Sequence, residues 1–251
     1  MSGHSKWHSI KHKKAAEDAK RGKIFTKVIK ELTIAARVGG GSPETNPRLR
    51  TAILKAKASN MPQDNIERAI KKGTGELPGV SYEEVTYEGY AQGGVAIMVE
   101  VTTDNKNRTT AELRNLFSKR GGNMAGAGSV AWQFQKKGYI LISKDAASEE
   151  TIMNIAIDAG AEDVKGEGDE FEIITEMNDF ETVKKAFEDK NVEIKTADLT
   201  MIPNTTIKID DLAQAKSILA MVESFEEHDD VQNVYANFDI PDDILTKLSE
   251  S

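Results

Sequence analysis

The sequence predicts an α+β protein of three domains: an all-helical N-terminal domain and two ferredoxin-like α/β domains, one inserted in the other. Three observations carry this reading. The hydrophobic period changes from that of helices to that of strands near residue 80. Residues 138–202 run in the order β-α-β-β-α-β, the ferredoxin-like unit. Charge divides along the same lines, with 17 Lys and Arg against 7 Asp and Glu in residues 1–80, but 16 against 34 in residues 81–251.

Taken in order, Ile24, Phe25, Val28, Ile29, Leu32 and Ala36 recur at helical spacing and predict a helix from Ala15 to Arg37, ended by Gly39-Gly40-Gly41. Asn46-Pro47, a capping residue followed by proline at the first helical position, predicts a second helix burying Leu49, Ile53 and Ala56. A third begins at Pro62, with acids early, Lys71 and Lys72 late and Gly73 as its cap. Val95, Ile97, Val99 and Val101 then alternate on one strand face, a helix covers about Asn107 to Arg120, and a strand presents Val130, Trp132 and Phe134. The inserted unit spans strand 139–143, helix 149–159, strand 163–166, strand 170–175, helix 179–189 and strand 192–201. Beyond Pro203, a strand (205–209), a helix (211–226) and a strand (231–238) supply the half that the 94–134 segment lacks. The domain division is therefore 1–78, helical and basic; 79–135 plus 204–251, split; and 136–203, inserted.

The absence of cysteine removes disulfides, thiolate nucleophiles and the commonest structural zinc ligands. No window approaches the ~18 uninterrupted apolar residues of a spanning helix, and the start of the chain is polar and basic, so the chain reads as soluble and cytoplasmic with no membrane partner. A net charge of −8 conceals a basic part carried on an acidic body, the pattern of a nucleic-acid-binding segment.

The candidate nucleic-acid-binding residues are Lys6, Trp7, His8, Lys11, Lys13, Lys14, Lys20, Arg21, Lys23, Lys27 and Lys30. Residues 1–37 hold 10 Lys and Arg and only Glu17, Asp18 and Glu31, a density suited to several phosphate contacts. Trp7 could stack on an exposed base or anchor the tail to the body. His4, His8 and His12 share helical spacing, but neighbouring lysines and the lack of a carboxylate argue against a metal. The glycine-rich run 121–129 follows a helix and enters a strand, the wrong polarity for a phosphate loop, and reads as a mobile connector. Asp210-Asp211, Asp229-Asp230 and Asp242-Asp243 could hold a nuclease metal, yet each sits at an element boundary where capping explains it. Glu170, Phe171 and Glu172 on the third inserted strand are too acidic for a base-stacking sheet.

Gly3-His4-Ser5-Lys6-Trp7, the Lys11–Lys27 stretch with Asp18-Ala19-Lys20-Arg21-Gly22-Lys23, Asn46-Pro47-Arg48-Leu49-Arg50 and Asn60–Ile70 together resemble the YebC family, also called YebC/PmpR or DUF28. Tyr87-Glu88-Gly89-Tyr90, Thr103-Asp104-Asn105, Asn107-Arg108-Thr109 and Gly128-Ser129-Val130 extend the similarity over nearly the whole chain. The chain departs from the family pattern at Ser42, at Ala91-Gln92 and in Met124–Ala127, all in loops. The resemblance implies a helical domain and two α/β domains around a central cleft, and no catalytic residue carries over. It implies either a DNA-binding transcriptional regulator or a ribosome- or rRNA-associated translation factor, since some members, including a mitochondrial translational activator, act in translation on the ribosome. The expectation is a non-enzymatic regulator with no cofactor, no metal and no small-molecule substrate; a metal-dependent nuclease is the remote alternative.

Overall fold

The computed structural model describes residues 17–249, apart from the side chains of residues 17–21, 167, 242 and 249. Contacts divide the chain into two compact units, residues 132–206 and the chain on either side of them.

Outside the insertion, helices α1 (Glu17–Gly39), α2 (Pro47–Ala58) and α3 (Gln63–Thr74) enclose Leu32, Ala35, Ala36, Leu49, Ala52, Ala56, Ile66 and Ala69. Asn46 caps α2 as its sequence implies, its side chain accepting the Leu49 N–H at 3.1 Å, and its amide nitrogen also donates to the Ala35 and Gly40 carbonyls. Gly73 does not cap α3; Gly75 does, at φ 83°. Gly73 instead lies inside the helix against α1, where a Cβ would stand 2.3 Å from the Thr33 carbonyl oxygen. Helix contact, not chain reversal, requires this glycine.

A four-stranded antiparallel sheet follows, in the order β3-β1-β2-β9: β1 is Glu83–Tyr90, β2 Ala96–Thr103, β3 Asn123–Ala125 and β9 Val231–Ala236. Helices α4 (Lys106–Lys119) and α7 (Leu212–Glu226) cover it. Val95, Ile97, Val99 and Val101 face the core as predicted, against Leu113, Phe117, Ile218, Val222 and Phe225. The ferredoxin strand order is present, but different segments fill it. The second strand lies at 123–125, inside the glycine-rich run; residues 131–133 form a 3₁₀ turn with Trp132 exposed, and Phe134 opens the next sheet. The third position belongs to β1, missing from the sequence reading, whereas β8 (Ile207–Lys208) pairs in parallel with β10 (Phe238–Asp239). Helix α8 (Asp242–Ser249) completes this unit.

The inserted unit comprises β4 (Phe134–Ser143), α5 (Glu149–Asp158), β5 (Asp163–Glu167), β6 (Glu170–Thr175), α6 (Phe180–Asp189) and β7 (Ile194–Pro203). Its sheet order β5-β6-β4-β7, antiparallel throughout, is that of the ferredoxin-like unit. Ile140, Ile142, Ile152, Ile173, Val183 and Phe187 form its core. Among the described residues no helix is long and apolar enough to cross a membrane.

Candidate functional site

Helix α1 carries the described part of the basic segment. Lys6, Trp7, His8, Lys11, Lys13 and Lys14 lie outside the described residues, as do the side chains of Lys20 and Arg21, whose backbone belongs to α1. Lys23 is exposed. One and two turns further on, the pattern of cations continues but its chemistry changes. Lys27 Nζ donates to the Glu226 carbonyl oxygen at 2.8 Å. Lys30 is only 6% exposed, and its Nζ meets Asp230 Oδ1 at 2.5 Å and the Asp229 carbonyl at 2.9 Å. A buried ammonium already held by a carboxylate has no charge to offer a phosphate. Lys30 therefore leaves the solvent-facing set, and both lysines fasten α1 to the turn between α7 and β9.

Asp230, 3% exposed, is the centre of that fastening. Besides Lys30, its carboxylate accepts Arg108 Nη2 at 2.8 Å, Thr109 Oγ1 at 2.6 Å and Thr103 Oγ1 at 3.1 Å. Its backbone carbonyl accepts the Thr102 N–H at 2.8 Å. Burial alone would raise this carboxyl; the bonds from Lys30, Thr109 and Arg108 outweigh it and hold the group well below the usual carboxylate range. A second clasp joins the same parts: Arg48 on α2 bonds Glu31 on α1 at 2.7 and 2.9 Å and Glu84 on β1 at 2.6 and 3.1 Å.

An open cleft of about 730 Å³ lies beside this node, lined among others by Lys23, Thr26, Tyr82, Arg108, Glu112 and His228. Glu112, His228 and Asp230 bring one ligand atom each within 4.8 Å of one another, the one metal-compatible group among the described residues. The donors argue against a ligand set. Both Asp230 oxygens already accept protein hydrogen bonds, two of them from cations. His228 Nδ1 accepts the Asp230 N–H at 3.1 Å, so its proton sits on Nε2, 2.9 Å from Glu112, which is the nitrogen a metal would need bare. The other acidic pairs also have structural duties: Asp211 caps α7 by accepting the Gln214 N–H at 2.7 Å, and Asp243 pairs with Lys247 at 3.4 Å. On β6, Phe171 is buried and Glu172 accepts the Tyr139 hydroxyl at 2.7 Å, which leaves no aromatic platform there.

The glycine-rich run is an anion cradle after all, filled by the protein itself. Glu88 on β1, buried, accepts the N–H groups of Gly128 at 2.7 Å, Val130 at 2.6 Å and Ala131 at 2.8 Å. Desolvation raises its carboxyl, but the three amides prevail and lower it. The expected mobile connector is thus pinned at its C-terminal end. Neither Glu88 nor Asp230 stood out as a charge partner in the sequence, because each bonds across at least 40 residues of chain.

A basic helix clasped through the buried Asp230 carboxylate to a split ferredoxin-like sheet, with a second such unit in the insertion, defines a multidomain α+β protein with an ion-pair node where helix and sheet join. Its residues 5–76 match the TACO1/YebC protein N-terminal domain and residues 82–238 the TACO1/YebC second and third domain; the chain belongs to the TACO1/YebC family. It is 57% identical over 249 residues to a protein of Syntrophobacter fumaroxidans, covering 99% of this chain and all of that one. It is 58% identical over 250 residues to one of Syntrophus aciditrophicus, with the same coverage. Both bear the name probable transcriptional regulatory protein. The crystal structure of a conserved hypothetical protein from Aquifex aeolicus, 50% identical, superposes with a TM-score of 0.82 over 92% of this chain and 96% of its own.

Proposed function

We propose that this chain is a cytoplasmic, non-enzymatic regulator of gene expression that binds nucleic acid through the basic end of α1 and the residues preceding it, from Lys6 to Lys23. The observation that carries the reading is the segregation of charge: 10 Lys and Arg against three acids in residues 1–37, on a chain whose remainder past residue 80 is strongly acidic. Phosphate attraction is thereby confined to one end of the molecule, and the names of the relatives support a role in transcription.

Translation on rRNA is the second reading, and one feature favours it. Helices α2 and α3 are joined by four residues, the element order of a helix-turn-helix, but α3 opens with Asp64 and Glu67, both exposed where a reading helix meets phosphates. Recognition by shape and phosphate, as of structured RNA, needs no reading helix. Cosedimentation with ribosomes, compared with binding to duplex DNA at matched salt, separates the two. Replacing Lys20, Arg21 and Lys23 by Gln is expected to weaken the complex and shallow its salt dependence by about 2–3 in slope. Unchanged binding would remove the N-terminal helix from the account.

A further inference from the structure

The basic end of α1 has a neighbour that the charge count did not single out. Helix α2, Pro47–Ala58, contains four cations and no acid. Its inward residues Leu49, Ala52 and Ala56 are buried, which leaves Pro47, Arg50, Thr51, Leu54, Lys55, Lys57 and Ala58 exposed. Leu54 is 61% exposed, an apolar side chain in water between two cations. Helical neighbours three and four residues from Arg50 and Lys57 are Asn46, Pro47, Ile53, Leu54, Asn60 and Met61, so no carboxylate on this helix neutralises either. Arg50 gives one Nη1 bond to the Pro43 carbonyl at 3.2 Å, and Glu44, in the turn before the helix, feels its charge. The remaining guanidinium donors stay outside that bond.

The position of this face follows from the packing. Asn46 bonds Ala35 and Arg48 bonds Glu31, so α2 runs back antiparallel to α1. Beside Lys23 on α1, Ile24 is also 44% exposed. Lysines late in α2 complement the helix dipole, which accounts for Lys57 by itself. It accounts neither for Arg50 in the first turn nor for the exposed leucine between them.

Resting on the nucleic-acid reading above, we infer that the outer face of α2 is a second contact strip, with Arg50 and Lys57 on backbone phosphates and Leu54 against the sugars or bases between them. The two cations stand seven residues, about 10 Å, apart along the helix, or about three ~3.4 Å steps of a strand. Thr51 and Ala58 are small enough to let the backbone approach. A polyanion is the occupant because the face is acid-free while most of the chain repels phosphate.

The test titrates the full chain with a short DNA duplex and with an RNA hairpin of equal phosphate number, across salt concentrations. R50Q/K57Q is expected to bind roughly tenfold more weakly near physiological salt, with a slope shallower by about 1.4–1.8. L54A is expected to weaken binding without changing the slope, and the unfolding midpoints of both variants should match the wild type. K71Q/K72Q, an equal loss of charge on α3, is the control. Equal weakening by the control, or wild-type binding by R50Q/K57Q, overturns the strip while the α1 reading stands. Failure of the wild-type chain to bind either probe overturns both. The preferred probe identifies the polymer served.

Discussion

Replacing Asp230 by Asn tests the clasp that the structure assigns to it. The change keeps the shape and removes the charge, leaving the Lys30 ammonium, 6% exposed, without the anion 2.5 Å away. Breaking a buried pair by removing one partner costs about 3–5 kcal/mol, because the survivor is a desolvated charge. For a chain of this size that corresponds to a fall in midpoint of roughly 6–20 °C. Arg108, 44% exposed, can turn to water and adds little to the loss. The double variant K30M/D230N removes both charges and is expected to recover much of the stability, giving a coupling energy of about 1.5–3 kcal/mol in a double-mutant cycle. The sign with pH is equally specific. The Asp230 carboxyl is lower in the folded than in the unfolded protein, so its contribution is present above the ordinary aspartate value and disappears as pH falls below about 4. Wild type should lose stability through that window more steeply than D230N. Urea unfolding followed by circular dichroism measures all of this. A D230N variant within about 1 kcal/mol of wild type, or a double variant as unstable as the single one, would rule out the clasp.

Glu88→Gln should cost about 1–3 kcal/mol and speed amide exchange at Gly128, Val130 and Ala131, since a neutral acceptor replaces the carboxylate that holds all three N–H groups. Its carboxyl is also lowered on folding, so this stability too is lost on acidification below about 4, and the Gln variant should lack that loss. Gly73→Ala should destabilise more than Gly75→Ala: the first drives a Cβ to 2.3 Å from the Thr33 carbonyl and parts α1 from α3, whereas the second strains only a left-handed cap, about 1 kcal/mol. Thermal melts of the two variants compare them directly. The domain limits proposed from the sequence, 1–78, 79–135 with 204–251, and 136–203, predict protease cuts near residues 79, 135 and 204; release of 81–135 without 204–240 would contradict the split domain.

Features that depend on neighbours within a few residues are legible in the sequence. Asn46-Pro47 starts α2, period 3.6 writes α1, and the six elements of the insertion are legible because each carries its own alternation and turn residues. Partnership over long distances was decided by the tertiary structure. Strand β1 has its apolar Val85 and Tyr87 set among Glu83, Glu84, Thr86 and Glu88, a weak alternation, and becomes the third strand because β2 and β3 pair on its two sides. Lys27 and Lys30 continue the same basic stripe as Lys23; what separates Lys30 is a carboxylate 200 residues away, which turns that candidate phosphate contact into a buried fastener, while Lys27, partly buried, bonds a carbonyl. A lysine carries the same charge in either setting, and only the burial supplied by the rest of the fold decides whether that charge faces water or another part of the protein.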